Sequence, residues 1–215
     1  MKALTTNDMD ASSLRCRSCD AAYDGREAVL RCPACHAVVP PHPSATPFAR
    51  LGVPVSLRLT DADIDAAWLA RSRLTHPDRF AARPPAERRA AAEQTAALND
   101  ARRALATRFD RAAWLVRSVG VTEPALPHGQ LVWFMEVREE AEASAEGRQR
   151  VVDDAVARFQ SADRSLDTLL TSVDAAAPDR GVVAQIASLL TLERTLARLC
   201  ADLGGPVLVA SLDAR

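Results

Sequence analysis

Four cysteines near the start of the chain have the spacing of a metal site. They form two Cys-x-x-Cys pairs, Cys16 with Cys19 and Cys32 with Cys35, separated by twelve residues. Two such pairs can place four thiolates tetrahedrally around one zinc ion, which leaves no open position for a substrate. The pattern therefore predicts a structural zinc ion that stabilises a segment too short to build its own core.

The same cysteines leave a redox alternative open. They could instead form a reactive dithiol or a pair of disulfides, although a reducing compartment disfavours disulfides and one pair would suffice for redox work. Asp24-Gly25, between the pairs, is a strong two-residue hairpin signal that predicts a ribbon. We expect His36 and His42 to be solvated, since four cysteines already complete a zinc site, and Cys200 to be a small core residue.

A second group with chemical potential is His76-Pro77-Asp78, which is followed by Arg79-Phe80. Pro77 stiffens this tip, so Asp78 presents a carboxylate suited to a charge-assisted hydrogen bond with an arginine of a partner. The alternative is an ordinary loop in which Asp78 only caps a turn. The sequence on either side of the tripeptide distinguishes a partner-binding loop from an ordinary turn.

Two amphipathic helices flank the tripeptide. Thr60 is a good N-cap with Asp63 three residues later, and Pro77 ends the helix, which predicts a helix over about 61–75. Pro84-Pro85 opens a second helix that continues to about Leu105. The residues expected on the apolar faces are Ile64, Trp68, Arg71 and Leu74 on the first helix, and Ala97, Leu98, Ala101, Ala104 and Leu105 on the second. Two antiparallel helices therefore carry one exposed polar tip.

These segments resemble the J-domain of the HscB family, whose members are co-chaperones of iron–sulfur cluster assembly. The resemblance lies in Phe48–Gly52, Trp68–Phe80, Ala96–Leu105 and Arg111–Val116, and it continues through Leu131–Glu142, a segment that ordinary J-proteins lack. It covers about 48–203. Some members of the family also carry an N-terminal tetracysteine domain, and this chain resembles that longer kind.

The resemblance implies a contact with a DnaK-type chaperone. In the family, the tripeptide loop and the preceding helix bind that chaperone and promote ATP hydrolysis. In this chain His76, Pro77 and Asp78 form that loop. Arg71 and Arg73 place cations on the preceding helix, where they can steer association with an acidic surface; the alternative is that they belong to an ordinary solvated helical face. J-domains usually have an aromatic residue just before the histidine, whereas this chain has Leu74-Thr75.

The helix after residue 128 has more apolar surface than a small bundle needs. At 100° per residue, Phe134, Val137 and Ala141 form one stripe that can seal a core. A neighbouring face is also apolar and is rimmed by carboxylates, which is typical of a docking surface; the alternative is that Leu131 or Met135 packs against the J-domain. By resemblance, scaffold binding falls on Leu131, Val132, Met135, Glu136 and Glu139.

The chain as a whole reads as a mainly α protein with a small N-terminal zinc ribbon, a helical J-domain and a C-terminal three-helix bundle, whose first short connection is expected at Gly147. The expected segments are a disordered N-terminus over 1–13, the ribbon over 14–39, a proline-rich linker over 40–47, the J-domain over 48–120, the bundle over 126–203 and a tail over 204–215. We expect the linker to separate the ribbon from the helices, so that loss of a cysteine ligand spares the helices.

Composition and motifs narrow the function. A net charge of −1 argues against a broad nucleic-acid surface, and no apolar run approaches the length of a membrane span. Residues 1–13 suit neither a secretory signal nor a transit peptide, so a cytoplasmic location is expected. No phosphate-binding loop or nucleophile–base group is evident, which predicts a co-chaperone rather than an enzyme or nucleotide-binding protein. Two alternatives remain: a general J-protein whose ribbon binds unfolded clients or nucleic acid, and a thiol oxidoreductase.

Overall fold

The computed structural model describes residues 13–24, 28–175 and 177–208. They divide into two compact units. The first comprises the described residues up to Val55 together with Leu59–Ala106, and the second comprises Ser56–Arg58 together with the described residues from Thr107 onward. Within these ranges, no helix is both long and apolar enough to cross a bilayer.

The first unit begins with a ribbon built on the cysteine pairs. Strand β1 (Ser13–Arg15) pairs antiparallel with strand β2 (Ala22–Asp24). The first cysteine pair is itself the turn between the strands, because the N–H of Cys16 donates to the carbonyl of Ala21 at 2.9 Å. The hairpin turn expected at Asp24-Gly25 is a separate feature that lies outside the described residues, since Asp24 ends β2 and Gly25 is not described.

The first unit continues with four helical segments: α1 (Pro47–Leu51), α2 (Asp61–Thr75), a 3₁₀ turn (Pro77–Phe80) and α3 (Pro85–Leu105). Helix α2 has the bounds that the sequence predicts. Thr60 Oγ1 accepts from the N–H of Asp63 at 3.1 Å, and the Asp63 carboxylate accepts from the N–H of Thr60 at 2.8 Å. This capping box fixes the start of the helix.

Helices α2 and α3 pack through one apolar face and two polar links. The buried residues of α3 recur every three or four positions after Ala90 and Ala91, at Gln94, Leu98, Ala101 and Leu105. Arg102 Nε lies 2.7 Å from an Asp65 carboxylate oxygen, and Trp68 Nε1 donates to Asn99 Oδ1 at 2.9 Å. On α2, Leu74 is 46% exposed although its spacing predicts a place on the apolar face, and Thr75 is buried in its stead.

The described part of the second unit contains four helices: α4 (Arg108–Ser118), α5 (His128–Ala143), α6 (Ala145–Ser172) and α7 (Arg180–Asp202). From the sequence, the α4 segment is expected in the J-domain. In the structure its apolar residues Ala112, Leu115 and Val116 join the core formed by α5, α6 and α7. An amphipathic helix belongs to whichever core buries its face, so the bundle gains a fourth member.

The inward faces of this unit agree with the helical periodicity. The predicted residues that are buried are Val152, Ala155, Phe159, Leu166 and Leu170 on α6, and Val183, Ile186, Leu190, Leu196 and Leu199 on α7. Val156 and Leu169 are partly buried against the same core. The mainly α fold with a small N-terminal ribbon is thus confirmed.

The two ends of the chain are described only in part. The segment 1–13, expected to be disordered, lies outside the described residues except for Ser13, which begins β1. The tail expected over 204–215 is described to Leu208, which packs against the core of the second unit, whereas Val207 is 85% exposed.

Candidate functional site

The His-Pro-Asp tripeptide forms an exposed loop at the end of α2. The Asp78 side chain is 89% exposed and that of His76 is 56% exposed. Within the loop, His76 Nδ1 accepts from the N–H of Asp78 at 3.4 Å, and an Asp78 carboxylate oxygen lies 3.5 Å from the same nitrogen. The carboxylate therefore keeps most of its hydrogen-bonding capacity for a partner.

Buried residues immediately before and after the loop anchor it to the first unit. Phe80 is 5% exposed and forms a small apolar cluster with Val38, Ala90 and Ala91. Thr75, in the position where J-domains usually have an aromatic residue, is fully buried. Its carbonyl lies 3.3 Å from Thr95 Oγ1, whose hydroxyl is closer, at 2.9 Å, to the carbonyl of Ala91. A buried threonine and a buried phenylalanine thus anchor the two ends of the loop.

The two predicted chaperone-binding arginines lie in different surroundings. Arg73 is exposed on α2. Arg71 is partly buried: it passes over Gly52, and its Nη2 donates to the carbonyl of Ala28 at 2.7 Å. A Cβ at Gly52 would collide with the Arg71 guanidinium, and Gly52 also has a φ of +68° that favours glycine. Burial lowers the pKa of Arg71, but the guanidinium stays charged.

The four predicted ligand cysteines converge on one point. Their sulfurs lie within 4.8 Å of one another, with Cys16 Sγ 3.6 Å from Cys35 Sγ and Cys19 Sγ 3.7 Å from Cys32 Sγ. A tetrahedral zinc ion with Zn–S bonds of about 2.3 Å separates its sulfurs by about 3.8 Å. The donor set and its spacing therefore fit one four-coordinate ion, and convergence favours this over two independent dithiols.

The two cysteine pairs have the same backbone geometry. In the first, the N–H of Asp20 donates to the carbonyl of Cys16 at 2.8 Å, and in the second the N–H of His36 donates to the carbonyl of Cys32 at 2.9 Å. Asp20 and His36 both have a φ of +59°. This repeated turn aims the two sulfurs of each pair inward. It also gives His36 a backbone role rather than a ligand role.

The pKa values of two of these thiols shift in opposite directions. The pKa of Cys32 is lowered to about 7, mainly because the backbone N–H of Cys35 donates to its sulfur. The backbone N–H of Ala21 acts in the same sense on Cys19, but hydrogen bonds from the neighbouring thiols, Cys35 first, together with burial raise the pKa of Cys19 to about 12. Cys32 therefore deprotonates readily, whereas Cys19 does not. A cation bound by the four sulfurs would favour the thiolate form of Cys19.

A separate apolar surface lies on α5. Leu131, Val132 and Met135 are exposed by 45%, 36% and 68%, while Phe134, Val137 and Ala141 face the core as the periodicity predicts. Trp133 does not join the exposed strip, because the Arg158 guanidinium stacks on its ring at 4.1 Å. Glu136 and Glu139 are exposed beside the strip. The face combines an apolar centre with an acidic rim.

Sequence reasoning missed two residues that connect the cysteine segment to the helices of the first unit. Arg31 Nη2 donates to the carbonyl of Leu74 at 3.0 Å. Gln94 Nε2, almost fully buried, donates to the carbonyl of Val39 at 2.8 Å and to that of Val29 at 3.3 Å. The only sequence signal for Gln94 is a polar residue in the apolar stripe of α3. Arg31 gives no signal that distinguishes it from other arginines.

These contacts differ from the expectation that a linker separates the ribbon from the helices. The proline-rich segment is itself tied to α1, since Arg50 donates to the carbonyls of His42 at 2.7 Å and Ala45 at 3.1 Å. Because its prolines have no backbone N–H, this stretch has more backbone acceptors than donors, and two of its carbonyls accept hydrogen bonds from Arg50.

Comparisons with known proteins give a consistent result. The iron–sulfur cluster co-chaperone protein HscB of Homo sapiens is 28% identical over 149 residues, which cover 66% of this chain and 63% of the human protein. A co-chaperone protein HscB homolog of Burkholderia multivorans is 30% identical over 163 residues, which cover 73% of this chain and 93% of the relative. No family model matches.

The crystal structure of human HscB has a similar fold. The two structures superpose with a TM-score of 0.72 over 89% of this chain and 97% of the human one, at 21% sequence identity. The match reaches into the helices of both units, and the Burkholderia relative is 30% identical over 93% of its own length. This chain therefore belongs to the HscB family of J-type co-chaperones.

Proposed function

We propose that this chain brings an iron–sulfur cluster scaffold protein to a DnaK-type chaperone and stimulates ATP hydrolysis by that chaperone. The observation that carries the proposal is the exposed His76-Pro77-Asp78 loop at the end of a helical hairpin. The human relative is named an iron–sulfur cluster co-chaperone, which supports the choice of client.

The chaperone contact consists of the loop and one helical face. Asp78 offers a solvated carboxylate on a stiff tip, which can form a charge-assisted hydrogen bond to an arginine without first breaking a strong internal one. Arg73, exposed one turn before the loop, steers association with an acidic surface. Arg71 belongs to the same predicted set, but its guanidinium already binds Ala28, so it acts by holding α2 rather than by direct contact.

The scaffold contact is the exposed strip of α5. Leu131, Val132 and Met135 supply apolar area, and Glu136 and Glu139 supply the charged rim that sets orientation. The bundle does not need these side chains, because Phe134, Val137 and Ala141 already seal it. An apolar strip that the core does not use supports a role in binding.

Cys16, Cys19, Cys32 and Cys35 would hold one zinc ion. A zinc ion with four thiolate ligands supplies a structural cross-link and has no position for a reacting molecule. The chain itself carries out no covalent step, since ATP is bound and hydrolysed by the chaperone. A cytoplasmic setting, in which thiols remain reduced, suits this role.

The test is single-turnover ATP hydrolysis by the cognate chaperone with the Asp78→Asn variant. The substitution keeps the shape of an exposed side chain, so stability should change by no more than about 0.5 kcal/mol. Stimulation should fall to the level of the chaperone alone, because the charge is lost. Asp153→Asn, an exposed carboxylate on α6, is the matched control and should stimulate normally. Full stimulation by Asp78→Asn would overturn the proposal.

A further inference from the structure

The carbonyls at the C-terminal end of α2 are contacted by side chains from three different segments, two of which are arginines. The last carbonyls of a helix have no partner within the helix, and Pro77 prevents the helix from continuing. Arg79 donates to the carbonyl of Arg73 at 2.6 Å, and Arg31 donates to that of Leu74 at 3.0 Å. The Thr95 hydroxyl lies 3.3 Å from the carbonyl of Thr75 but is closer, at 2.9 Å, to that of Ala91 on its own helix. The His-Pro-Asp loop leaves the helix directly after Thr75. Its position is therefore set by this capping.

One of the two arginine caps comes from the cysteine segment. Arg31 immediately precedes the ligand Cys32, and it forms an antiparallel bridge with Val38 on the other side of the second cysteine pair. Its guanidinium also lies 5.6 Å from the centre of the Phe80 ring, at the far end of the loop. A cation at a helix C-terminus is favoured by the helix dipole, and its contact with an aromatic face adds a further attraction. Arg31 thus touches both ends of the loop.

Side chains of α2 and α3 in turn hold the cysteine segment in place. Arg71 of α2 donates to the carbonyl of Ala28, and Gln94 of α3 donates to those of Val29 and Val39. Both side chains bind main-chain carbonyls, so these links depend on the path of the backbone around the second cysteine pair. That path is what a metal ion at the four sulfurs would fix.

The first cysteine pair offers an internal comparison. Arg15 precedes Cys16 as Arg31 precedes Cys32, and the two turns share their backbone geometry. Arg15, however, binds the carbonyl and the carboxylate of Asp20, both at 3.1 Å, within its own turn. Of the two arginines, Arg31 is the one that caps a helix of the first unit. Arg15 is therefore a natural control for Arg31.

We propose that the tetracysteine segment is a metal-dependent brace for the His-Pro-Asp loop, with Arg31 as the positioning residue that links the second cysteine pair to the end of α2. This inference rests on the proposed function for its effect on the chaperone. It assigns to the metal site a role in the J-domain reaction: the loop is held in its binding geometry only while the segment is folded around its ion.

Hydrogen exchange of the zinc-loaded full chain tests the brace without any partner. In Arg31→Ala, the amides of residues 74–76 and 78–81 should exchange at least about fivefold faster, as expected when a charge-assisted hydrogen bond is lost from a local structure. Zinc content, measured by metal analysis, should stay at one ion per chain. Arg15→Ala should change neither quantity. Exchange in Arg31→Ala equal to that in Arg15→Ala would refute the inference.

A double-mutant cycle tests the dependence on metal. Cys35→Ser, which removes a ligand, should accelerate exchange of the same amides as Arg31→Ala does. In the Arg31→Ala background its effect should be clearly smaller than in the parent, because the Arg31 link is already broken and only the packing of Val38 on Phe80 remains to be lost. Additive effects of the two substitutions would mean that the metal acts on the loop by another route, and would overturn the role of Arg31.

Chaperone stimulation separates failure of this inference from failure of the proposed function. Arg31→Ala should require several-fold more co-chaperone for half-maximal stimulation, with partial recovery in Arg31→Lys, which retains a cation able to cap the carbonyl of Leu74. If Asp78→Asn abolishes stimulation and Arg31→Ala stimulates as Arg15→Ala does, the brace is wrong and the proposed function stands. If Asp78→Asn stimulates fully, the proposed function is wrong, and the hydrogen-exchange results alone decide whether the cysteine segment braces the loop.

Discussion

A buried carboxyl group on α7 has no hydrogen-bond partner for either oxygen among the described residues. Glu193 is fully buried in the second unit. Burial raises its pKa to about 7, against an opposing attraction from Arg108. Arg108 is committed to Asp163 and to Asp167 on α6, so it cannot fully neutralise Glu193. The ionised form of this residue is therefore a cost to the fold at neutral pH.

This cost predicts how stability depends on pH. Because the folded state raises the pKa of Glu193 from an ordinary value of 4.5, folded protein binds the proton more tightly than unfolded protein does. Stability from this group is then lost as pH rises through the window from 4.5 to about 7, and the loss is complete above it. Glu193→Gln is a neutral mimic of the protonated form. Its stability relative to the parent should improve by about 2–3 kcal/mol between pH 5 and pH 8.

Urea unfolding of both proteins at the two pH values measures this difference. Other carboxylates contribute equally to both proteins, so only the change in the difference matters. Parallel pH profiles would contradict the assignment of a raised pKa to Glu193.

Helix ends can be predicted from the sequence where one residue acts only on the backbone next to it. Thr60 and Pro77 mark the start and end of α2 because a capping box and a proline act through adjacent backbone. Gly147 is misleading, because the connection between α5 and α6 that it predicts lies at Ser144. The Ser144 side chain accepts from the N–H of Gly147 at 2.9 Å and caps α6. The glycine lies inside the first turn of α6.

Gly147 is instead required by the close approach of α5 to α6. A Cβ at this position would lie well under 3.0 Å from the backbone oxygen of Glu140. In a solvated helix, alanine is more favourable than glycine by about 1 kcal/mol. Here the clash with a backbone atom cannot be relieved by a rotamer change. Gly147→Ala should therefore destabilise the protein by about 1–3 kcal/mol.

Thermal unfolding of Gly147→Ala measures the outcome, and Gly129→Ala is the matched control. Gly129 lies in the first turn of α5, and a Cβ at this position would meet no atom within 4 Å, so the same substitution should be neutral or slightly stabilising there. An increase in melting temperature for Gly147→Ala would show that propensity outweighs packing at the α5–α6 turn.

At the scale of the whole molecule, periodicity predicts which faces are buried but not which elements share a core. The sequence pattern of apolar residues in α4 is compatible with packing in either unit, and the structure shows that they pack in the second. The cysteine segment is expected to be independent because its spacing explains its folding completely. Its contacts through Arg31 and Gln94 depend on carbonyl groups, which have no sequence signature. The candidate ligands and the loop could be found because their chemistry depends on short-range spacing.

The division into two units leads to the last prediction, that scaffold binding and chaperone stimulation can be separated. The proposed scaffold strip belongs to the second unit, and the proposed chaperone loop to the first. A variant with Leu131, Val132 and Met135 all changed to alanine loses apolar anchors that the core does not use. Central apolar contacts of an interface often contribute about 2 kcal/mol or more, so scaffold affinity should fall at least about tenfold.

Calorimetric titration with the scaffold measures the affinity, and the hydrolysis assay without scaffold measures the second activity, which should persist. Val207→Ala, at an apolar residue of the same unit that is 85% exposed, is the control and should leave both unchanged. Circular dichroism checks that the triple variant is folded. If it unfolds while its folded fraction binds normally, the three residues belong to the packing of the protein. If it folds and binds normally, the scaffold contacts a different surface, because an interface that lost three anchors could not keep its affinity.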